Sequence, residues 1–431
     1  MRIAQLRQRL RDLGAKPCHE DRLLRGWSQV CSYDRAHSAA EGFFPLALRN
    51  ELPAIEAELD GLARLKSEHA VTALSPTLYR RKPSPQPSPA SGRGDKRGKP
   101  CSIPAGEGAN VALRGFSNNE GVARLLVELH DGQMVESVLL PRGGLCVSTQ
   151  VGCAVGCVFC MSGRDGLLRQ LGSAEIVAQV VLARRRRAVN KVVFMGMGEP
   201  AHNLDNVLEA IQLLGTQGNI GHKNLVLSTV GDMRVFERLM EGLKEPNSPI
   251  PPLTPPLKGG EHSALPASHP PFQGEGWGGD GVNPANGQPR FNEIVRPALA
   301  LSLHTTDATL RARLLPHAPQ IAIEELVERA EVYARATSYP IQYQWALLEG
   351  VNDSDAEVER IVQLLSGKYA VMNFIPFNAV DGLDYRRPSP ERITAMMGTL
   401  NQQGILAKLR DSAGQEIEGA CGQLRARAVK V

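Results

Sequence analysis

The stretch from Leu145 to Cys160 reads LCVSTQVGCAVGCVFC and joins an apolar run to a loop that contains glycine and three cysteines. Cys153, Cys157 and Cys160 follow the spacing C-x3-C-x2-C. Three thiolates this close together can hold three irons of a cubane cluster, which leaves the fourth iron open to a further ligand. The spacing therefore predicts a [4Fe–4S] site.

A zinc site and three inert buried thiols are the alternatives for this triplet. Structural zinc takes four ligands, commonly as two pairs of neighbouring residues. No convincing second pair exists, because Cys146 lies seven residues upstream of the triplet and Cys421 stands alone near the C-terminus. Three inert thiols at this spacing, in a loop that follows a strand, are not expected by chance.

Apolar runs and helical patterns alternate downstream of residue 145. Strands are predicted at Leu145–Thr149, Lys191–Met195, Asn224–Thr229, Ala298–Leu303, Ile341–Leu347 and Ala370–Ile375. Helical periodicity covers residues 173–187, 203–215, 232–243, 323–337, 354–366 and 390–403. Six such units predict an α/β fold in which a parallel sheet curls into a partial (β/α)6 barrel with its helices outside. In such folds the chemistry lies beyond the carboxyl ends of the strands.

The rest of the chain divides by composition. Residues 1–75 carry leucines at helical spacing and predict a small helical accessory domain, and residues 109–142 predict a β-hairpin extension around the turn dipeptide Asp131-Gly132. The catalytic domain is then expected at 143–431. Residues 82–108 and about 245–290 are rich in Pro, Ser and Gly, and such segments bury too little apolar surface to order themselves. Both are predicted to be disordered insertions.

Composition and charge narrow the class of protein. The 431 residues are 42% hydrophobic and 22% charged, as in an ordinary globular protein. The N-terminus lacks the apolar core of a signal peptide, and no run of about 18 apolar residues could span a membrane. We therefore expect a cytoplasmic protein with reduced thiols. A net charge of +4 permits an RNA partner without requiring one.

Polar residues follow the predicted strands directly. Gly196-Met197-Gly198-Glu199-Pro200 follows the second strand, Ser228 lies near the end of the third, Ser302-Leu303-His304 ends the fourth, and Asn378 follows the sixth. Each motif alone has a plain structural interpretation, such as a turn, a helix cap or a buried histidine. Their shared position after successive strands favours a ligand site.

At this point the chain resembles the radical SAM superfamily, whose members cleave S-adenosylmethionine (SAM) at such a cluster. Its surroundings, including Ala420-Cys421-Gly422-Gln423-Leu424, resemble the RlmN/Cfr family of RNA methyltransferases over residues 109–244 and 291–425. That family methylates adenosine in 23S rRNA and, in the RlmN branch, also in tRNA. The resemblance implies a SAM-dependent RNA methyltransferase with a [4Fe–4S] cluster, two SAM per turnover and an S-methylcysteine intermediate on the way to carbon 2 of adenine.

The resemblance also assigns roles to residues. It makes Cys421 the methyl carrier, Cys146 the second cysteine that releases the product by forming a disulfide with it, and Glu136 the proton acceptor. Without the resemblance, Cys421 could be an inert buried thiol and Glu136 a strand residue facing solvent. The residues implied to contact SAM are Gly198, Glu199, Ser228, Ser302, Leu303, His304 and Asn378.

Departures from the family pattern leave the target open. The chain between Glu136 and Cys146 is a few residues shorter than is usual in the family, so carbon 8 of adenine or another RNA remains an alternative target. A non-catalytic RNA-binding protein with structural zinc is a further alternative. The expected partners are RNA and a reducing electron donor such as flavodoxin, with the enzyme a monomer. Arg184 to Arg187 are expected to complement a helix dipole, with phosphate contact as the alternative.

Overall fold

A computed structural model describes residues 1–34, 40–71, 121–243, 294–380, 382–410 and 415–426. Twelve strands, numbered in chain order, occur in this part of the chain. Two of them, β5 (Gln150–Gly152) and β6 (Leu167–Gln170), form a small antiparallel sheet beside the cysteine loop. The other ten form one large sheet, whose spatial order is β1 (Ala63–Val71), β2 (Val122–Leu129), β3 (Met134–Leu140), β4 (Gly144–Cys146), β7 (Lys191–Phe194), β8 (Leu225–Thr229), β9 (Ala298–Ser302), β10 (Ile341–Leu347), β11 (Ala370–Pro376) and β12 (Leu406–Leu409).

The parallel half of the large sheet runs from β4 to β12. Its first six strands correspond to the six predicted ones, and each pairs in parallel with its neighbour. The prediction of an α/β fold with a parallel sheet of six β/α units is confirmed. A seventh parallel strand, β12, pairs with β11 and was not predicted. Its four residues, Leu-Ala-Lys-Leu, are too short for a periodicity signal, so only the pairing reveals the strand.

Helices cover the outside of the parallel strands. They are α5 (Ser173–Arg184), α6 (Leu204–Gly215), α7 (Met233–Met240), α8 (Ala308–Leu314), α9 (Ile323–Thr337), α10 (Asp355–Leu365) and α11 (Pro390–Gln402). Most carry one apolar stripe against the strands, as an outer helix requires. The Asp307 carboxylate caps α8 by accepting a hydrogen bond from the Leu310 backbone N–H at 2.7 Å, which fixes where this short helix begins.

The N-terminal region begins with α1 (Ile3–Asp12), α2 (Pro17–Gln29), α3 (Ala40–Phe43) and α4 (Leu46–Gly61). The expectation of helix up to residue 75 is wrong beyond residue 62, because 63–71 form β1, which pairs antiparallel with β2. In β1 the more buried and the exposed residues alternate with a period of two. The predicted hairpin, β2 and β3, therefore does not stand apart. It joins β1 to the barrel in one continuous sheet.

The four arginines Arg184 to Arg187 attach the N-terminal region to the barrel. Arg184 donates to the backbone oxygen of Ser28 at 2.7 Å, Arg185 pairs with Asp60 at 2.5 Å, and Arg186 pairs with Glu68 at 3.0 Å. Arg187 donates to the carbonyls of Gly121 and Leu140. Since every one of the four is engaged by protein, the alternative of phosphate contact is not supported.

Both predicted insertions, 82–108 and 245–290, lie outside the described residues. No helix in the described part of the chain is long and apolar enough to cross a membrane.

Candidate active site

A cavity opens at the carboxyl ends of the parallel strands, and the space in it that no protein atom fills is about 1000 Å³ when the part open to solvent is counted. The barrel places it there, because each parallel strand delivers the residues that follow it to the same rim. Ten of the thirteen predicted site residues line it: Cys153, Cys157, Cys160, Gly198, Glu199, Ser228, Ser302, His304, Asn378 and Cys421. The exceptions are Leu303, Cys146 and Glu136.

The cysteine loop leaves β5 and is held on two sides. Gly152 has a φ of +81°, and a Cβ there would lie 2.0 Å from the carbonyl oxygen of Gly166, so only glycine fits this close backbone approach. On the other side, the loop is docked on α8 and the turn after it. The Val158 backbone N–H donates to the Leu314 carbonyl at 3.0 Å, and that of His317 donates to the Val155 carbonyl at 3.2 Å. The loop is therefore anchored by backbone contacts.

The donor set of the loop fits a cluster better than a single zinc ion. Within the described ranges, no three His, Cys, Asp or Glu side chains converge closely enough to hold one metal ion. One zinc would need its sulfur ligands about 2.3 Å from a common point. A cubane cluster instead binds each thiolate to a different iron, and so accepts a wider spread of thiols.

Burial affects the ionisation of these thiols. It raises the pKa of Cys153 to about 12 and the pKa of Cys157 well above the ordinary value, while Cys160 is also shifted upward. Neighbouring thiols of the triplet add to the shift at Cys153 and Cys157 because like charges repel. Ligation by a cation is what would stabilise the thiolates in such a place.

Glu199 is a buried carboxylate at the end of β7. One oxygen accepts from the Ala201 N–H at 3.1 Å and the other from the Val230 N–H at 3.0 Å. Burial nevertheless raises the pKa of Glu199 to about 7, since it outweighs these hydrogen bonds. A carboxylate so poorly compensated in a cavity is suited to an ammonium ligand, such as the amino group of SAM.

His304 is held in one orientation and one protonation state. Its Nδ1 accepts a hydrogen bond from the Ala346 N–H at 2.9 Å, which places the ring proton on Nε2. Burial lowers the pKa of His304 to about 3, so the ring is neutral near pH 7. The ring packs edge-on against Phe159 of the cysteine loop, with centroids 4.8 Å apart. A neutral donor thus lines the cavity beside the triplet.

The remaining predicted SAM contacts divide into three groups. Ser228 and Ser302 are half-buried and line the cavity. Leu303 is fully buried and does not line it, although its backbone N–H donates to the Gln344 carbonyl at 3.1 Å. The amide of Asn378 donates to the Cys421 carbonyl at 2.9 Å. Asn378 therefore also holds the segment that carries Cys421.

The segment from Gln415 to Ala426 brings Cys421 to the cavity without any strand. Its backbone is held from the cysteine loop, because the Met161 N–H donates to the Gly422 carbonyl at 2.7 Å and the Ser162 hydroxyl to the Leu424 carbonyl at 2.7 Å. Gly422 has a φ of +88°, and a Cβ there would lie 3.1 Å from the Phe159 carbonyl oxygen. A larger residue at 422 would push Cys421 away from the loop.

Cys421 and Cys146 are both free thiols, and they lie near enough for the charge of Cys421 to act on Cys146. Cys421 opens onto the cavity, while Cys146 is buried in β4 behind it. Burial, followed by the charge of Cys421, raises the pKa of Cys146 to about 12. The protein around Cys421 likewise raises its pKa, and the guanidinium of Arg410 opposes the shift at both thiols. The interpretation of Cys421 as an inert buried thiol is thus not supported by its exposure.

Glu136 lies in a second, smaller cavity next to the first. It is only 1% exposed, which excludes the alternative of a solvent-facing strand residue. One oxygen accepts from the Arg124 guanidinium at 3.2 Å and the other from the Arg425 backbone N–H at 2.9 Å. Burial raises the pKa of Glu136 in spite of these bonds. Arg124 also forms an ion pair with Glu418 at 3.4 Å. The Arg124–Glu136 pair therefore binds the C-terminal segment at two residues, Glu418 and Arg425.

Sequence reasoning did not single out three arginines near the site. Arg124 is a buried cation in a strand whose only other polar residue is Glu128, a signal that could have been noticed. Arg311 in α8 is 4% exposed and donates to the carbonyls of Val230 and Ser302, while its Nε has no partner among the described atoms. Arg410 follows β12, which the periodicity had not predicted.

Comparison with known proteins agrees with this site. The model of the radical SAM superfamily matches residues 147–261. A probable RNA methyltransferase of Azoarcus sp. is 55% identical over 100% of this chain and 96% of its own length, and one from Pseudomonas aeruginosa is 53% identical over 100% and 96%. The crystal structure of a radical SAM methyltransferase from Sphaerobacter thermophilus is 27% identical, covers 99% of this chain and 98% of its own, and has a TM-score of 0.67. The chain therefore belongs to the RlmN/Cfr-like family of radical SAM RNA methyltransferases and is an enzyme that uses a [4Fe–4S] cluster and SAM.

Proposed function

We propose that this enzyme methylates carbon 2 of an adenosine in 23S rRNA, in tRNA or in both, through S-methyl-Cys421, and that it consumes two SAM per turnover. The observation that carries the proposal is the position of Cys421. It lines the same cavity as Cys153, Cys157 and Cys160, with a second free thiol, Cys146, close behind it. A thiol in that position can meet SAM, substrate and a second thiol in turn.

The reaction explains why two cysteines are needed besides the triplet. Carbon 2 of adenine lies between two nitrogens and is electron-poor, so it does not attack the methyl group of SAM as a nucleophile. Cys421 is a far better nucleophile once deprotonated. It takes the methyl group of one SAM by displacement, forming an S–CH₃ bond while the S–CH₃ bond of SAM breaks.

We assign the cluster to Cys153, Cys157 and Cys160, and the contacts with the second SAM to Gly198, Glu199, Ser228, Ser302, Leu303, His304 and Asn378. When bound, the cluster supplies the electron that splits SAM and so produces the radical that removes a hydrogen atom from the methyl group on Cys421. The role of the surrounding residues is to orient SAM. Glu199 offers a carboxylate to its amino group, and neutral His304 offers an N–H.

Two further residues complete the turnover. The methylene radical on Cys421 bonds to carbon 2, and the adduct must then lose one electron together with the hydrogen of that carbon as a proton. The oxidised cluster, when bound, would take back the electron, and we assign acceptance of the proton to Glu136. The raised pKa of Glu136 suits a proton acceptor, provided that one of its two hydrogen bonds gives way. The Cys146 thiolate then bonds to the Cys421 sulfur and breaks the Cys421–carbon bond. The electron pair of that bond stays with the carbon, which takes up a proton and becomes the methyl group of the freed RNA. An external reductant must reopen the resulting disulfide.

The same proposal includes the setting of the enzyme. We infer a cytoplasmic monomer that takes electrons from a reducing donor such as flavodoxin. The mildly basic chain, with a net charge of +4, suits an RNA substrate.

Nucleoside mass spectrometry tests the function. Anaerobically reconstituted enzyme is incubated with SAM carrying a labelled methyl group and with total rRNA or tRNA from a strain that lacks the gene. We expect labelled 2-methyladenosine in at least one RNA pool and none with Cys421→Ala. Labelled 8-methyladenosine would instead support the alternative target. Absence of any labelled nucleoside in both pools, with the cluster loaded, would overturn the proposal.

A further inference from the structure

Three cations, Lys191, Lys408 and Arg410, lie near enough to one another for the charges of Arg410 and Lys408 to act on Lys191. Lys191 lies on β7, and Val193 and Met195 follow it at a spacing of two residues. These three side chains therefore point to the same side of the sheet. The Met195 sulfur contacts the Arg410 guanidinium, which identifies the side shared by Met195 and Lys191 as the one that faces Arg410. Lys408 and Arg410 lie two residues apart on and just after β12, so they also share a side.

Arg410 shows that the two strands face each other across the barrel. Its guanidinium lies 3.1 Å from the Gln344 side-chain oxygen and 3.8 Å from the Met195 sulfur. Four strands separate β7 from β12 in the sheet, so only its curvature brings them together. Lys191 is on the same side of its strand as Met195, and Lys408 is on the same side as Arg410. Both lysines lie further from the cavity than Met195 and Arg410.

The partners of these cations differ from those elsewhere in the chain. Arginines over much of the surface pair with carboxylates, as for Arg9 with Glu58 and Arg392 with Asp355. Lys191, Lys408 and Arg410 form no ion pair with any carboxylate in the ranges that the structure describes, and Arg410 has neutral acceptors only.

Mutual repulsion makes this arrangement costly. The surrounding protein, and then the charges of Arg410 and Lys408, lower the pKa of Lys191. Three close cations that pair with no carboxylate of the described residues are stabilised when an anion binds between them. Their position also links them to the chemistry, because the charge of Arg410 reaches both Cys146 and Cys421.

We propose that Lys191, Lys408 and Arg410 form a binding site for the phosphodiester backbone of the RNA, next to the nucleotide whose base reaches Cys421. The proposal rests on the proposed function, since it takes RNA as the substrate. Phosphate contacts of this kind position a nucleic acid without reading its sequence. Arg410 is the cation of the three whose charge acts on Cys421, so the site would hold the backbone beside Arg410 while the base enters the cavity.

The test is RNA binding as a function of salt. Cluster-loaded, full-length protein is titrated into a fluorescein-labelled RNA stem-loop with an unpaired adenosine, at several salt concentrations. Each lost phosphate contact reduces the slope of log affinity against log salt by about 0.7 for single-stranded RNA. We expect the triple variant Lys191→Gln, Lys408→Gln, Arg410→Gln to lower the slope by about 2. Each single variant should lower it by about a third of that.

Matched variants and a second ligand make the result interpretable. Lys66→Gln removes an exposed lysine that pairs with Glu128 on the far strands, and it should leave the slope unchanged. Lys191→Arg keeps the charge and should keep the slope. Iron content and SAM affinity, measured on the same preparations, should match the wild type. If the triple variant loses iron, the single variants carry the test.

The outcomes separate this proposal from the proposed function. If the variants keep the wild-type slope and affinity while wild-type enzyme methylates RNA, the phosphate site is wrong and the function stands. If the variants lose SAM affinity but not RNA affinity, the cations serve the SAM carboxylate, which also overturns the site. If the wild type methylates no RNA, yet the slope changes as expected, the phosphate site stands and the proposed function fails.

Discussion

The cysteine loop and the C-terminal segment both deliver cysteines to one cavity, but they are positioned in different ways. The loop from Cys153 to Cys160 is bounded by a two-stranded sheet and docked on α8 by backbone hydrogen bonds. The segment from Gln415 to Ala426 belongs to no strand, contains a single 3₁₀ turn, and relies on contacts from distant parts of the chain.

This difference matches the tasks proposed for the two regions. A cluster needs a fixed set of ligands, and backbone contacts within regular structure provide it. A methyl carrier must meet SAM, then the base, then a second thiol, so its segment must shift between turns of the cycle. A few side-chain contacts, such as those of Asn378 and Glu136, can be released at lower cost than a strand pairing.

Loss of one loop cysteine should have the largest effect. Cys157→Ser removes one of three ligands, so the iron content should fall from about four per chain to background and all methylation should stop. Iron analysis and the absorbance of the anaerobically reconstituted protein measure this. Cys18→Ser, which changes an exposed free thiol outside the site, should keep full iron content. A Cys157→Ser protein with a full cluster would contradict the assignment.

Loss of the segment cysteine should stop methylation while sparing the cluster. Cys421→Ala should retain iron and SAM affinity but lower RNA methylation to background, because only the methyl carrier is missing. Cys146→Ala should methylate Cys421 and then accumulate a covalent RNA–protein species, visible on a denaturing gel. Release of methylated RNA by Cys146→Ala at the wild-type rate would remove Cys146 from the mechanism.

Two substitutions in the buried ion pair separate holding the segment from accepting a proton. Arg124→Met leaves Glu136 without its cation, and breaking such a pair costs about 3–5 kcal/mol. Hydrogen exchange in 415–426 should therefore rise, and methylation should fall by up to about 10²-fold through misplacement of Cys421.

Glu136→Gln is the matched variant, since the amide oxygen can still accept from the Arg425 N–H. If Glu136 accepts the proton, this variant should lose methylation while exchange in the segment stays near the wild type. Equal losses of activity and protection in both variants would reduce Glu136 to a residue that positions the segment.

Low pH should lower the free energy of unfolding through His304, which follows β9. The pKa of His304 is lowered from 6.5 to about 3, so the unfolded chain binds a proton that the folded one excludes. Stability from this group is complete above about pH 6.5 and is lost as the pH falls towards 3. The free energy of unfolding should thus decline less steeply between pH 7 and 4 in His304→Asn, where asparagine also tolerates the φ of +63°. Parallel curves for both proteins would contradict this.

The smallest effect is expected outside both regions. Arg185→Ala breaks an exposed ion pair with Asp60, which is worth about 1 kcal/mol or less. Thermal unfolding should shift only slightly, and methylation and the salt dependence of RNA binding should not change. A clear loss of RNA affinity would revive phosphate contact as the role of this arginine run.

The sequence alone determined what depends on local pattern. The triplet lies within eight residues, so its spacing alone predicts a cluster site. The six central strands are apolar enough to be seen in the sequence, and they were predicted correctly in type and order. The polar motifs were expected at one rim because parallel strands all end there, and the cavity gathers most of them.

Tertiary structure alone decided what depends on distant contacts. β1 is identified as a strand by its pairing with β2. The four residues of β12 are identified as a strand by their pairing with β11. The proximity of Cys421 to Cys146 joins positions 275 residues apart, and the contacts of Arg124 and Glu136 with the C-terminal segment join positions still further apart, 294 and 289 residues. No periodicity encodes such contacts, because their free energy comes from burial and charge pairing that exist only once the sheet has curled.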